Sequence, residues 1–492
     1  MLQTVNTRYT TPLRAAQGSQ APARTPDEPR DAVFSFNPQD PLVMAPTTER
    51  INGVSPGPEV DKARLNGGLN ANWEGNFVYG PSDHRHHSAV TFAAAAKTIE
   101  MFEQASGQPI RWAFGEQKLD VVANGGEMLN AYYSRDDHSV NFFQHYDRIL
   151  GRHVHSGDSG EVVAHELGHA ILDGVRPDYF DAFSPDVAAF HESFGDMIGL
   201  CFALQDDRVV DRVAIETGGD LSKRNIASAL GEELGVAIND EVGANRTGGN
   251  WTRNAVNNFT WADPSTLPWI GGPDQLGAEP HDFSRLWTGA YYEILTNLVN
   301  QNKEAGMDNK AAIKQAGQEG LKLLVNLMKE APHGEFVYRE MAQAFVESDR
   351  KHNNGQHAAL IESVMKKRLI LPTEAPPPPP PTRPVGLVED ESEGPVRNVG
   401  LTLTGSRFGM FSGARVSIPV DAGQALLKSA EVRERTENAL ERYIAEGRIR
   451  YNDPNYQMKL PQDGFDPQGR PYIGAVVWEN GQMRIERLKI AV

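Results

Sequence analysis

Val162-Val163-Ala164-His165-Glu166-Leu167-Gly168-His169-Ala170-Ile171-Leu172-Asp173 is the stretch on which the reading of this chain turns. Residues four apart share a helix face, so His165 and His169 can point at one metal ion, with Glu166 beside them within reach of a water on it. Val163, Leu167 and Ala170 line a different face that can be buried in a core. By composition alone, H-E-x-x-H occurs in roughly one or two of a hundred chains of this length, so the surrounding residues must carry the case.

A catalytic metal of this kind needs a third protein ligand and one open position. Glu192 follows His169 by 23 residues, within His191-Glu192-Ser193-Phe194-Gly195-Asp196 on a second helical pattern. Glu192 suits the third ligand. Asp196, four residues on, faces the same way and suits an acceptor that orients a ligand imidazole. Phe190, Phe194, Met197 and Ile198 make this helix too apolar for a solvated acidic face. His191 stays open as an alternative third ligand. The zinc class that continues as H-E-x-x-H-x-x-G-x-x-H is excluded, because Leu172 and Val175 stand where Gly and His are required.

Working outward, an Ala-rich helical pattern spans 88–103, and strand-like runs follow at 121–122, 128–133 and 140–143. Helical patterns at 161–173, 187–204, 283–299, 309–329, 336–347 and 356–367 come after them. Strands first and helices later predict an α+β domain over 76–370. Residues 1–75, rich in Pro, Gly and Asn, predict a flexible arm. Six consecutive prolines at 376–381 and the acidic Glu389-Asp390-Glu391 mark 371–397 as a semi-rigid linker. A small α+β module is expected over 398–492, with strands near 399–403 and 414–418, a charged helix within 422–446, and a hairpin turning at Asn480-Gly481.

Composition narrows the function. With Lys+Arg 48 against Asp+Glu 65, the net charge of −17 argues against nucleic-acid binding as the main task. The single cysteine, Cys201, excludes an intramolecular disulfide and reads as a core residue of an apolar helix. No run approaches the roughly eighteen apolar residues of a membrane span. The first thirty residues have no apolar signal core, so the expectation is synthesis in the cytoplasm, with any export by a non-classical route. Asp83-His84-Arg85-His86-His87 suits no single metal-ligand face and reads as a solvated helix start.

Four segments together resemble one family. Residues 162–173 resemble the active-site helix of the thermolysin-like neutral zinc metallopeptidases (gluzincins), and 192–196 resemble their second zinc-binding segment. Asn130-Ala131-Tyr132-Tyr133 is similar to their edge-strand motif, and Pro280-His281-Asp282-Phe283-Ser284 to the segment with the catalytic histidine. The similarity covers roughly residues 75 to 370 and leaves the tail module outside. It implies a thermolysin-like fold and a zinc-dependent endopeptidase, with Zn2+ on His165, His169 and Glu192 and Glu166 as general base. His281 and Tyr179 would donate to the oxyanion, Asp274 or Glu279 would hold His281, and Asn130 and Ala131 would pair with an extended substrate.

For Ca2+, Glu161 stands where the family has a ligating carboxylate, while the partner acid expected later falls in the apolar Cys201-Phe202-Ala203. The implied partner is a peptide or protein substrate, with no nucleic acid and no membrane, and the tail module is the candidate for binding a further partner. Two rivals remain: a binding or scaffold protein on a retired peptidase fold, and a toxin-like protease effector delivered without a signal peptide.

Overall fold

The structure, a computed structural model, describes residues 28–72, 74–243, 246–373, 395–421, 429–451, 472–479 and 481–491. Most of the expected linker, including the proline run, lies outside the described residues. The architecture is α+β.

The chain first forms β1 (Arg30–Phe36) against β2 (Thr47–Val54), then β3 (Gly57–Glu59) against β4 (Ala63–Leu69). This corrects the expectation of a flexible arm up to residue 75. The strands depend on distant partners: Phe34 stacks on Phe77 at 4.5 Å, and the Val33 N–H donates to Asn76 Oδ1 at 3.0 Å. Such pairing leaves little local pattern for a sequence reading to use.

Helix α1 (Arg85–Ser106) buries Ala89 and Ala93 to Ala96. Its His-rich start is less solvated than expected, because His86 is buried with Nδ1 on the Tyr79 carbonyl oxygen at 2.9 Å. Strands β5 (Leu119–Val122), β6 (Ala131–Ser134) and β7 (Ser139–Phe142) extend the sheet. A hairpin of β8 (Gln144–Asp147) and β9 (Arg152–His155) follows. Helices α2 (Gly160–Val175), α3 (Pro185–Ala203) and α4 (Asp207–Thr217) come next. Then β10 (Ala229–Leu230), α5 (Glu232–Val242) and β11 (Arg253–Asn254) follow, with β10 paired antiparallel to β11 and the Gly231 N–H donating to Glu161 of α2. Helices α6 (Pro280–Glu304), α7 (Asn309–Glu330), α8 (Tyr338–His352) and α9 (Ala358–Lys367) complete the helical half.

The tail comprises β12 (Val396–Thr402), β13 (Arg415–Asp421), α10 (Ser429–Ala445), β14 (Ile449–Arg450), β15 (Gly474–Glu479), β16 (Gln482–Arg487) and β17 (Ile490–Ala491). Five of these strands form their own sheet, in the order β12-β13-β16-β15-β14. The module is nonetheless packed on the body. Phe183 is part of its core, and Trp269 meets Tyr443 edge-on at 5.7 Å. Buried Glu335 accepts from the N–H groups of Phe183 and Ser184 at 2.7 and 3.0 Å, with Thr436 of α10 3.5 Å away. The last strand leaves the module altogether and joins the body's sheet, which runs β17-β6-β7-β5-β4-β3.

Among the described residues no single helix is long and apolar enough to cross a membrane. The bent pair of α3 and α4 passes that test only together, and α3 is buried in the core.

Candidate metal centre and cleft

Helices α2 and α3 lie side by side because glycine faces glycine between them. A Cβ on Gly168 would come within 2.9 Å of Gly195 Cα, and one on Gly195 would meet the His165 ring at 2.7 Å. That close approach places residues of both helices around one point. His165 Nε2 and His169 Nε2 are 3.0 Å apart, and Glu192 oxygens lie 3.5 Å from the first and 3.7 Å from the second. Ligand atoms about 2.1 Å from a tetrahedral metal are separated by roughly 3.4 Å, so the two imidazole nitrogens suit one ion, with Glu192 Oε2 near the first and Oε1 near the second. Glu166 stands beside them, with a ligand atom within 4.8 Å of those of both histidines. One buried Glu166 oxygen, Oε2, meets no hydrogen-bond partner among the described residues.

Each imidazole is held from behind. His165 Nδ1 lies 3.0 Å from Asp196 Oδ1. The Asp196 carboxylate is fully buried and also accepts from Arg253 Nη2 at 2.8 Å and from the Thr288 hydroxyl at 3.0 Å. With Nδ1 held on Asp196, His165 turns Nε2 toward the point it shares with His169. His169 Nδ1 lies 2.8 Å from His191 Nδ1, so His191 orients His169 and is turned away from the metal as a ligand.

The charges follow this geometry. Burial opposes ionisation of His165, but its hydrogen bonds to Asp196 and Glu192 outweigh that and hold it up to about 9 in the absence of metal. Burial and the charge of neighbouring His165 push His169 well below the ordinary histidine value. Burial raises Glu166 to about 7, near the value a general base uses at neutral pH. Asp196 is lowered despite its burial, chiefly by the charge of Arg253.

His281 sits at the start of α6, one third exposed, with Nε2 3.3 Å from Glu192 Oε2 and Nδ1 2.8 Å from Glu279 Oε1. Of the two acids proposed from the sequence, Glu279 is therefore the one that holds it. Glu279 is also the N-cap of α6 and accepts from the N–H groups of His281 and Asp282, with Pro280 as the first helical residue. An acidic N-cap before Pro was a readable signal for this role. Burial disfavours the His281 cation, but the charges of Glu192 and Glu279 hold it up to about 10.

The cleft in front of these groups encloses about 980 Å³ and is lined by Asn130 and Ala131 on one side and by Leu230, Leu234 and Arg253 on the other. Arg448 of the tail module also lines it, and its charge helps to keep Glu279 ionised.

No family model matches this chain, and no curated protein does. The site therefore rests on its own geometry.

Tyr179 does not belong to the site. The turn Pro177–Asp181 tucks its ring against Phe336, and its buried hydroxyl donates to the Pro332 carbonyl oxygen at 2.6 Å, away from the cleft. Arg253 and Thr288, single polar residues on the two-residue strand β11 and on α6, carry no pattern in the sequence. They become recognisable only when folding brings them to Asp196.

A second buried group able to hold a cation lies one helical turn earlier on α2. Ligand atoms of Asp40, Glu161 and Glu232 approach within 4.8 Å of one another. One buried oxygen each of Glu161 and Glu232 meets no donor among the described residues, while the other Glu161 oxygen accepts from the Gly231 N–H at 3.3 Å. The acid expected near residues 201–203 is absent, and Asp40 and Glu232 reach Glu161 instead. Three carboxylates suit a hard cation such as Ca2+ better than zinc.

Proposed function

We propose that this protein is a thermolysin-like zinc peptidase that hydrolyses peptide bonds in the cleft between β6 and the 230–254 wall. The observation that carries the reading is the convergence of His165, His169 and Glu192 on one point beside an unpartnered Glu166 oxygen. The ligands would be His165 Nε2, His169 Nε2 and a Glu192 carboxylate oxygen. Zinc held there supplies Lewis acidity and makes water a nucleophile near neutral pH.

The chain's own residues do the rest. Glu166 takes the proton from the attacking water and passes it to the departing amine. His281, kept cationic by Glu279, donates to the oxyanion that develops on the carbonyl oxygen. Asp196, fixed by Arg253 and Thr288, keeps His165 in the tautomer that ligation requires. Asn130 and Ala131 offer main-chain groups to an extended peptide.

Replacing Glu166 by Gln keeps the size and the metal ligands but removes the base. Casein hydrolysis by the zinc-loaded variant is expected to fall by about 10²–10⁴-fold with zinc content unchanged. Hydrolysis at the wild-type rate would refute Glu166 as the base.

A further inference from the structure

Strand β6 has two edges, and they are used differently. Its inner edge pairs with β7 throughout, from Ala131 opposite Phe142 to Ser134 opposite Ser139. Its outer edge carries β17, antiparallel, with Ile490 opposite Ser134 and Ala491 opposite Tyr133. The same strand lines the cleft at Asn130 and Ala131, beside His165 and Glu166. The polypeptide on this edge thus runs from Ser134 toward the candidate metal centre. A peptide adding to the edge in line with β17 runs in the same sense, and its N-terminal side meets Ala491.

The strand is fastened from both sides. The Arg135 N–H donates to the Lys489 carbonyl oxygen at 3.1 Å, and Lys489 forms an ion pair with Asp181. Arg487 Nε donates to the Ala182 carbonyl oxygen at 3.2 Å. Toward the tail, Arg487 Nη1 donates to the Ile473 carbonyl oxygen at 2.9 Å, and the Leu488 N–H donates to that oxygen at 3.0 Å. A substrate strand that extends past Tyr133 must displace all of this.

Building on the peptidase reading above, we propose that β17 closes the substrate edge and restricts cleavage to the N-terminal ends of peptides. A substrate strand lying along Ala131 therefore meets β17 at Tyr133 on its N-terminal side, so only a short N-terminal overhang fits along the edge. The substrate class is therefore peptides with a short N-terminal overhang, and β17 is the specificity element. The opposing reading is that β17 only anchors the tail module. Under that reading the position of cleavage does not respond to its removal.

The test uses the full-length zinc-loaded protein and a library of proteome-derived peptides, with cut positions read by mass spectrometry. Cuts within about three residues of the N-terminus are expected to outnumber internal cuts by about tenfold. In a chain ending at Lys489, and in Ala491→Pro, which removes the Ala491 N–H from the β17 pairing, internal cuts should rise to parity while N-terminal cuts persist. The persisting cuts show that both variants still fold. An even spread of cuts in the wild type, or an unchanged pattern in both variants, overturns the proposal and leaves the peptidase reading standing. No cuts by any form overturns the peptidase reading and this proposal with it.

Discussion

Two buried clusters hang one turn apart on α2, and they are built in opposite ways. Around His165, His169 and Glu192, both ligand histidines have a dedicated partner: Asp196 for His165 and His191 for His169. Around Asp40, Glu161 and Glu232, three carboxylates crowd together, and the nearby Arg152 is spent on Glu233. The first cluster is balanced by its own protein neighbours. The second has excess negative charge, which a proton or a hard cation must neutralise. The two clusters differ in that each imidazole of the first is oriented by a second residue, whereas the acids of the second crowd one another, and the proposed peptidase uses the first.

The largest effect is expected from disturbing the contact that assembles the first cluster. In Gly195→Ala the new methyl would overlap the His165 ring, so the imidazole must leave Asp196. Zinc affinity is expected to fall by about 100-fold or more, measured by competition with a chromophoric chelator. An unchanged affinity would show that the close packing of α2 on α3 does not position the ligand. Asp196→Asn removes only the charge behind His165. A loss of about 10–100-fold in zinc affinity is expected, with little change in peptide KM.

The helices that carry the first cluster were legible because each combines an apolar face with its motif. The predicted 161–173 and 187–204 became Gly160–Val175 and Pro185–Ala203. The acid cluster was half legible: Glu161 lies inside the motif helix, whereas Asp40 comes from a region read as a flexible arm. Strands β1 to β4 escaped because their partners are far away in sequence, as Phe34 on Phe77 shows. Arg253 escaped because a lone arginine in a two-residue strand carries no pattern. Tyr179 was misplaced because its role came from the resemblance alone, and its ring turns into the core against Phe336 instead.

Smaller effects sharpen the comparison further. Glu279→Gln keeps a hydrogen-bonding cap on α6 but removes the charge that holds His281 cationic. A drop of about tenfold in kcat is expected, with the alkaline limb of the pH–rate profile moving to lower pH. In the acid cluster burial raises Glu161 to about 7 and Glu232 to about 10. Both folded values lie above the ordinary carboxylate value. Their contribution to stability is therefore complete at acid pH and is lost as pH rises through 7 toward 10. Metal-stripped Glu232→Gln should accordingly lose less Tm than the wild type between pH 5 and pH 9, by a few degrees. Millimolar Ca2+ should flatten the wild-type curve in the same way. Identical pH curves for the two proteins would show that the acids are not charge-coupled.

The central claim is that His165, His169 and Glu192 form one zinc site, and the most direct test is zinc content. Elemental analysis after dialysis is expected to find about one tightly held zinc per wild-type chain and almost none in His169→Ala. Equal zinc in the two proteins, or none in either, would contradict the account.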